Sequence, residues 1–550
     1  MMKMKKNNIY VIFSILGVVV VLWQLLSSGY VLTLDMVFGP HVNLTSNARD
    51  LLNTIPTWYL LSFITSILGG WIAQKILLIT IVFLMFYFPL RYFKKIFNLE
   101  DTHGAEYLVS IFYVVNPFVY ERFLAGQWNV LLGYVLLVPI IAYLIQFCRD
   151  WNKNNSLKLL ASIIILGMVS THILVMVLIV ISISIICNLI FLKGNRAFLK
   201  KSLLLGLGVL ILSSYWIVPA ILAKTTPLTI MGPEHWEVFK TTGNGLFGAL
   251  GNVLSLHGFW NERGIWAERF MFPNENGWIF ITSLIALFSI IITGIYSGLK
   301  DKILRRKVIL IICITLLAVI FSCGVGDGIF KNINMWMFEN ISFWKGFRDS
   351  EKWSAIVALS YALFIGLGAR QILLWIKNIK CKKIIFTLLI AVPIIYTPMM
   401  LFGLYGQIKT VNYPESWKVV NNVLKQDKNC KALFLPWQQY YELKFNDYIL
   451  TGNTSRNYFD CDIVAGKNME LGSINSQGGN DLEYDLIEKV VMDNKANPDE
   501  GVEFLKQKGI KYIIYTDDYV DLDSYKYPFI GSKNLKKVIT SDGVYLYRLI

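Results

Sequence analysis

Runs of apolar residues recur along the first 400 positions, and short polar segments separate them. A helix of about 20 apolar residues crosses a bilayer core about 30 Å thick. The pattern therefore predicts about eleven membrane-spanning helices. The predicted spans are residues 9–27, 71–90, 104–119, 128–147, 157–171, 172–192, 203–222, 277–298, 308–323, 353–375 and 384–402. The fifth and sixth are separated only by residues 170–172, so one long bent helix and a tight hairpin both fit.

Basic residues flank these spans in alternation, which predicts their orientation. They are Lys3, Lys5, Lys6, Arg91, Lys94, Lys95, Arg149, Lys153, Lys193, Arg196, Lys200, Lys201, Lys300, Lys302, Arg305, Arg306, Lys307, Lys377, Lys380, Lys382 and Lys383. The positive-inside rule assigns all of them to the cytoplasm. The N-terminus is then cytoplasmic, and an odd number of spans puts the C-terminal region outside. No small-residue cleavage site follows the first span, which we interpret as a retained anchor.

The opposite side of the membrane holds four longer and chemically mixed segments. They are residues 28–70, 118–128, 223–276 and 324–352. The cytoplasmic turns are short and basic, whereas these predicted outer segments contain most of the His and Trp residues and paired charges that precede residue 403. Loops on a rigid scaffold commonly carry function, so candidate site residues are sought there.

The pattern changes after residue 402, where short amphipathic elements replace the long apolar runs. Residues 411–426 have helical spacing behind Pro414, residues 431–436 form an apolar strand pattern, and residues 498–508 form a second helix closed by Gly509. A strand over 511–516 and a hairpin that turns at Asp542 and Gly543 complete the pattern. The predicted fold is an α-helical polytopic membrane domain, residues 1–402, followed by an extracytoplasmic α/β domain, residues 403–550.

Composition and charge agree with a membrane protein. The chain of 550 residues is 55% hydrophobic and 16% charged, with a mean hydropathy of +0.51, whereas soluble domains are about 25% charged. The net charge of +15 lies in the membrane part, because residues 403–550 carry 18 basic and 20 acidic side chains. A soluble enzyme and a nucleic-acid partner are therefore not expected. Cys430 and Cys461 are the two cysteines of the C-terminal region and would pair in an oxidising space.

The first predicted outer segment carries a carboxylate beside a membrane helix. Asp35 is the only acidic residue between the first span and Asp50, and its neighbours are apolar. A carboxylate in such a place costs free energy unless it is paired or used. As a general base it would take a proton from an acceptor hydroxyl; the alternative is an aspartate that caps a loop or a helix end. His41 would assist it, or would be an exposed loop histidine.

Two further outer segments carry cations suited to a phosphate. Glu121 and Arg122 lie between two apolar spans, and an arginine binds phosphate oxygens in pairs; a Glu/Arg ion pair that ties two helix ends is the alternative. Arg348 and Lys352 precede the tenth span, where the headgroup of a lipid phosphate would lie. Basic side chains that reach from helix ends toward the interface are the alternative there.

The longest outer segment, residues 223–276, mixes aromatic and charged side chains. Aromatic faces beside acids and bases bind sugar rings, but Trp and Tyr also concentrate at headgroup level in any membrane protein. Its candidate binding residues are His257, Arg263, Glu268 and Arg269.

Motifs for other chemistries are missing or weak. The chain contains no phosphate-binding P-loop, no GxSxG and no HExxH. Asp460, Cys461 and Asp462 form a DxD triplet, which in nucleotide-sugar enzymes holds a metal and a diphosphate. Nucleotide sugars are cytoplasmic, however, and these residues are predicted to lie outside.

The order of these features resembles the GT-C superfamily of integral-membrane glycosyltransferases, and in particular the uncharacterised YfhO-like and arabinofuranosyltransferase-like membrane proteins. The segments that carry the likeness are residues 34–41, 116–134, 347–353, 433–440 and 509–518.

The resemblance implies a polyprenyl-phosphate-linked sugar donor, an extracytoplasmic glycan or glycolipid acceptor, and inversion by a single displacement with Asp35 as the base. Many members of the superfamily carry two early acids, whereas this segment has Asp35 and then only Asp50. The requirement for a divalent metal, Mg or Mn, therefore stays open. The competing hypothesis is a non-catalytic protein or transporter that binds or moves a lipid-linked glycan.

Overall fold

The structure is a computed structural model of the full chain. It describes residues 2–42, 44, 52–149, 152–191, 196–222, 231–243, 248–260, 277–471, 474–476, 482–492, 497–517 and 527–550.

Most of the first 400 residues are helical. The helices are α1 (Met2–Leu22), α2 (Ile55–Leu68), α3 (Gly70–Phe97), α4 (Ala105–Val114), α5 (Pro117–Leu124), α6 (Trp128–Arg149), α7 (Lys153–Val169), α8 (Thr171–Phe191), α9 (Arg196–Leu212), α10 (Ser214–Leu222), α11 (Pro233–Val238), α12 (Gly248–Leu254), α13 (Gly277–Lys300), α14 (Arg305–Ser322), α15 (Lys331–Asn340), α16 (Ser354–Trp375) and α17 (Ile379–Tyr396).

The apolar helices make this chain a multi-pass membrane protein, as predicted. Within the described part of the chain, six helices are long and apolar enough to cross a bilayer. A seventh span results if α9 and α10, which are bent by 71° at their junction, count as one. The predicted total of about eleven is therefore not confirmed. Residues 170–172 separate two distinct helices, α7 and α8.

Two regions differ from the predicted pattern. Residues 104–119 form two short helices rather than one span, because Pro117 cannot continue α4 and Asn116 begins a new helix by accepting a hydrogen bond from the Val119 amide at 3.1 Å. The other difference is α2, which lies inside the first predicted outer segment and begins with Pro56 in its first turn. With 14 residues it is shorter than a full span of about 20.

Close helix contacts fix the centre of the bundle. Helix α16 is almost entirely buried, and it packs on α13 at Gly294 and Gly368. A Cβ atom at either glycine would collide with the backbone of the facing helix. Small residues at a helix crossing allow the backbones to approach, which strengthens packing in an apolar solvent. The N-terminal end of α16 is thereby held rigidly beside the candidate site.

The C-terminal region forms an α/β unit. Its strands are β2 (Thr410–Val411), β3 (Lys431–Leu435), β4 (Tyr440–Glu442), β5 (Leu450–Gly452), β6 (Asp462–Ala465), β7 (Asn468–Leu471), β8 (Ile474–Ser476), β9 (Tyr512–Thr516), β10 (Leu535–Ser541) and β11 (Val544–Leu549), and its helices are α18 (Glu415–Leu424), α19 (Leu482–Met492) and α20 (Pro498–Gln507). A five-stranded sheet has the order β10-β11-β9-β3-β6, with β3 parallel to both of its neighbours. The predicted helices, strands and hairpin of this region are confirmed.

Both faces of this sheet are covered. Helix α18 buries Trp417 and Val420 against one face, and α19 and α20 bury Ile487 and Leu505 against the other. The two tail cysteines form a disulfide bond, Cys430–Cys461. Because both faces are covered, the central strands β3 and β9 are short, nearly continuous apolar runs, which made them recognisable in the sequence.

The first interhelical segment is joined to the C-terminal region by backbone pairing. Strand β1 (Tyr30–Val31) pairs with β2, and Leu34 forms a bridge with Thr451. Tyr413 donates a hydrogen bond of 2.6 Å to the carbonyl of Phe38. The segment that carries Asp35 is therefore held between the helical bundle and the α/β unit.

Candidate functional site

A tight turn presents Asp35. The amide of Met36 donates to the carbonyl of Thr33 at 2.7 Å, and the amide of Asp35 donates to the carbonyl of Ala125 at 3.0 Å. Gly126, at φ +70°, allows the turn to approach, because a Cβ there would collide with the backbone of Met36. The turn is thus fixed against the junction of α5 and α6.

The Asp35 carboxylate accepts two hydrogen bonds. Gln127 Nε2 donates to Oδ2 at 3.0 Å, and the Tyr440 hydroxyl donates to Oδ1 at 3.1 Å. Desolvation raises the pKa of the Asp35 carboxyl above its ordinary value, against these two hydrogen bonds and the charge of Lys352, which lower it. The group is therefore a stronger base than an ordinary aspartate and keeps donors that orient it.

Asp35 lines a cavity of about 440 Å³ between the helical bundle and the C-terminal region. Its carboxylate is exposed to this space, which is partly open to the outside. Trp58, Trp128 and Lys352 also line it. The Trp58 and Trp128 rings meet edge to face with centroids 5.4 Å apart. The cavity thus combines one carboxylate, a cation and aromatic faces.

Behind this cavity, Arg122 is fully buried and belongs to an ion-pair cluster. Its guanidinium binds Asp349 with both terminal nitrogens, one of them at 3.0 Å, and also binds Glu351. Its Nη1 donates to Gln127 Oε1 at 2.7 Å. Arg122, which was predicted to bind a phosphate, has a side chain that is 0% exposed and already paired with carboxylates. The alternative was a Glu/Arg ion pair between two helix ends; the partners in the structure are Asp349 and Glu351.

Lys352 and Arg348 lie on the segment that leads into α16. The Lys352 Nζ lies 3.4 Å from Asp349 Oδ2 and reaches the cavity beside Asp35. The Arg348 guanidinium carbon lies 4.5 Å from the centre of the Phe239 ring, and burial lowers the pKa of this group. Although burial opposes it, the charges of Arg122 and Lys352 hold the pKa of Asp349 at about 2. The cluster therefore keeps Asp349 ionised and fixes Lys352.

Other predicted site residues lie elsewhere. Glu121 is buried next to Arg122 and is not part of the described cavity lining. His41 Nε2 lies 2.8 Å from Asp460 Oδ1, so this histidine ties the first segment to the C-terminal region and does not assist Asp35. His257 is buried against the rings of Phe280 and Tyr396. The remaining candidates fall outside the described residues: Arg263, Glu268 and Arg269.

Several site residues escaped the sequence analysis. Gln127 and Tyr440 hold Asp35, and Asp349 fixes Lys352. Arg456 and Lys467 line the cavity from the C-terminal region. Polar residues at 127 and 349 within predicted outer segments were the available signal for two of them. Contacts across some 400 positions, such as Tyr440 with Asp35, leave no local pattern.

The donor set around Asp35 does not fit a divalent metal. Mg²⁺ and Mn²⁺ favour several oxygen ligands, whereas both oxygens of Asp35 face hydrogen-bond donors. In the described part of the chain, no three His, Cys, Asp or Glu side chains group at metal-binding distances. Asp460 of the DxD triplet instead pairs with His41 and, at 2.9 Å, with Lys425, while Cys461 is in the disulfide.

Comparison with known proteins identifies the fold. No protein-family model matches the chain, and no curated protein matches its sequence. The cryo-EM structure of the arabinofuranosyltransferase AftD from mycobacteria superimposes with a TM-score of 0.65 at 13% identity, over 99% of this chain and 40% of that one. The chain shares the fold of this arabinofuranosyltransferase.

Two structures of a variant of AftD agree. They give TM-scores of 0.64 and 0.61 at 12% and 11% identity, over 98% and 99% of this chain and 41% of each of those. This chain thus spans about two fifths of the enzyme that it matches. The predicted likeness to arabinofuranosyltransferases is confirmed for the fold, and these matches do not extend to YfhO-like proteins.

Proposed function

We propose that this chain is a membrane glycosyltransferase that moves a sugar from a polyprenyl-phosphate-linked donor to an extracytoplasmic glycan or lipid-linked acceptor. The observation that carries the proposal is Asp35 in the cavity, oriented by Gln127 and Tyr440, with Lys352 lining the same space. The shared fold with AftD supports the class of enzyme.

In this proposal Asp35 is the general base. Its carboxylate takes the proton of an acceptor hydroxyl while the oxygen attacks the anomeric carbon of the donor sugar. The bond from that carbon to the phosphate oxygen breaks, its electron pair stays on the phosphate, and the anomeric configuration inverts. The raised pKa of Asp35 favours proton transfer, and the two hydrogen bonds hold the carboxylate in place.

Lys352 is the group proposed to stabilise the departing phosphate. The Lys352 ammonium lines the cavity just before α16. Asp349 holds the ammonium in place, and the Lys352 side chain stays 11% exposed. A fixed cation lowers the barrier when negative charge develops on the leaving oxygen. Arg348 is a second positive charge that interacts with Lys352, and Trp58 and Trp128 offer ring faces to the sugar.

The proposed orientation puts this site outside the cytoplasm. The N-terminus is cytoplasmic by the alternation of basic residues, and the domain of residues 403–550 is extracytoplasmic. The Cys430–Cys461 disulfide supports that placement, since disulfides persist in oxidising compartments. Polyprenyl-phosphate sugars are the donor class available on that side of the membrane.

Sugar transfer by the purified full chain in lipid nanodiscs tests the proposal. A panel of radiolabelled polyprenyl-phosphate sugars serves as donors and total glycans of the host envelope as acceptors. We expect Asp35→Asn to lower transfer by at least about a hundredfold, the usual share of a general base. The matched control is Asp447→Asn, which removes an exposed carboxylate that pairs with Lys409.

Two outcomes would contradict the proposal. Full turnover by Asp35→Asn would show that Asp35 is not the general base. Transport or binding of a lipid-linked glycan without any transfer, unchanged in Asp35→Asn, would instead favour the non-catalytic alternative.

A further inference from the structure

A second cavity lies at the opposite end of α16 from Lys352. Its volume is about 320 Å³, and Leu373 lines it near the end of the membrane-crossing segment Ser350–Trp375. The Trp375 side chain is 60% exposed, and aromatic side chains concentrate where the bilayer core meets the headgroups. The second cavity therefore lies at headgroup depth, on the membrane face that the basic turns occupy.

Three helices form the walls of the second cavity, and nearly all of its surface is apolar. Tyr107 lies on α4, Leu373 on α16 and Phe386 on α17. Gly104, which precedes α4 at φ +87°, leaves the space open, because it has no side chain to extend toward the Phe386 ring. Apolar surface at this depth is covered more favourably by hydrocarbon than by water. The floor of the second cavity therefore suits an acyl chain.

Two lysines near the start of α17 complete the lining of the second cavity. Lys382 is half-buried, Lys383 is exposed, and neither forms an ion pair with another of the described residues. The described lining contains no carboxylate, and its histidine, His103, is held by Asp101, with His103 Nδ1 3.1 Å from Asp101 Oδ2. The rim therefore carries two ammonium groups that no described acid pairs, beside an apolar floor.

We propose that the second cavity binds an anionic glycerophospholipid. One acyl chain of the lipid lies against Leu373 and Phe386. Its headgroup phosphate accepts charge-assisted hydrogen bonds from Lys382 and Lys383, as in other basic pockets between membrane helices. A free phosphate ion offers the same oxygens but leaves the apolar floor uncovered, so the lipid is the occupant that fits both parts of the cavity. The inference is separate from the proposed sugar transfer, because the cavity of Asp35 lies at the other end of α16.

Competition between matched lipids tests the proposal. Dioleoyl phosphatidylglycerol and dioleoyl phosphatidylcholine have the same acyl chains, but only the first has a net negative charge. Glycerol phosphate supplies the phosphate without the chains. The full chain in detergent is mixed with equal amounts of the two lipids, and the bound lipid is identified by native mass spectrometry. We expect the first bound lipid to be phosphatidylglycerol at least about ten times as often as phosphatidylcholine, because each lysine adds to the attraction.

Variants assign this preference to the two lysines. Lys382→Gln with Lys383→Gln is expected to lower the preference for phosphatidylglycerol at least about fivefold, whereas Lys382→Arg with Lys383→Arg keeps both charges and is expected to retain it. The matched control, Lys302→Gln with Arg306→Gln, removes two exposed cations where α13 leads into α14 and is expected to change nothing. Excess glycerol phosphate is expected to leave the bound lipid in place, since it cannot cover the apolar floor.

The inference is overturned if the parent protein binds the two lipids equally, or if Lys382→Gln with Lys383→Gln keeps the preference of the parent. An equal loss in the control variant would also overturn it, because the preference would then follow from total surface charge. Displacement of phosphatidylglycerol by glycerol phosphate would show that the cavity takes a free anion instead of a lipid. No sugar is transferred in these measurements, so their outcome is independent of the transferase assay.

Discussion

Gln127 donates a hydrogen bond of 3.0 Å to Oδ2 of Asp35. Its carbonyl oxygen accepts a hydrogen bond of 2.7 Å from the buried Arg122, so a single amide joins the proposed base to the ion-pair cluster. The amide cannot rotate without losing both contacts, which fixes its donor end toward Asp35. Arg122 therefore acts on the site through Gln127 rather than by touching a substrate.

Removal of this amide should shift the titration of Asp35. In Gln127→Leu the carboxylate loses a hydrogen bond that lowers its pKa, so the pKa rises further. A hydrogen bond to a charged group contributes about 1.5–3 kcal/mol, and one pKa unit corresponds to about 1.4 kcal/mol. We expect the acid limb of the pH–rate profile to move up by about one to two units. Asn129→Ala, also in the cavity lining, is the control; an unmoved acid limb in Gln127→Leu would refute the assignment.

The pH dependence expected for the unmodified protein follows from the same group. Desolvation raises the pKa of Asp35, so its carboxylate is lost at a higher pH than the ordinary value of about 3.9. Transfer activity should rise with pH through this pKa and fall as pH drops through it. Rates measured between about pH 3 and 8 in nanodiscs check this. An acid limb at or below about pH 3.9 would contradict the raised pKa.

Arg122 should matter for stability more than any other cation of the site. Arg122→Met leaves the buried Asp349 and Glu351 without their shared partner, which typically costs about 3–5 kcal/mol in the free energy of unfolding. Thermal unfolding in detergent measures the loss. Arg348→Met, which removes a half-buried cation stacked on Phe239, should cost less. Equal melting temperatures for the two variants would contradict this ranking.

The lowered pKa of Asp349 leads us to expect that acid destabilises the folded protein. Its pKa is held at about 2, below the ordinary aspartate value of about 3.9 in the unfolded chain. A lowered pKa contributes stability that is complete above about pH 4 and disappears as pH falls toward 2. Melting curves across this interval should show a smaller decline in Asp349→Asn than in the parent. A decline of the same size in both proteins would place the titrating group elsewhere.

Cysteine labelling tests the proposed orientation. Lys428→Cys puts a thiol on the exposed surface of the C-terminal region, and Cys381 is an exposed free thiol in the first turn of α17, among basic residues. A membrane-impermeant maleimide should label Lys428→Cys in intact cells and Cys381 only after permeabilisation. Labelling in the reverse order would show that the chain has the opposite topology.

The C-terminal region was predictable because its signals are local. The helix behind Pro414, the strand at residues 431–436 and the turn at Asp542 and Gly543 follow from helical spacing, a short apolar run and turn chemistry. The bundle was predictable where spans are long and uniform. It was not where Pro117 breaks a run, or where α2 is apolar but short.

The candidate site was predictable in part. Asp35 stood out because a lone carboxylate among apolar neighbours has a high energetic cost. The role of Arg122 could not be read from its own segment, since its partners Asp349 and Glu351 lie more than 220 positions away. The same holds for Arg456 and Lys467, whose neighbourhood gives no hint of the cavity.

The pairing of β1 with β2 determines when the site is assembled. Val31 pairs with Thr410, some 380 positions later in the chain. At synthesis rates of about 5–20 residues per second, that distance takes roughly 20–75 s to translate. During this interval Asp35 lacks its hydrogen-bond donor Tyr440, and the C-terminal residues that line the cavity have not yet been made. A ribosome that stops early therefore releases a fragment with no assembled centre, and newly made chains gain one only as translation finishes.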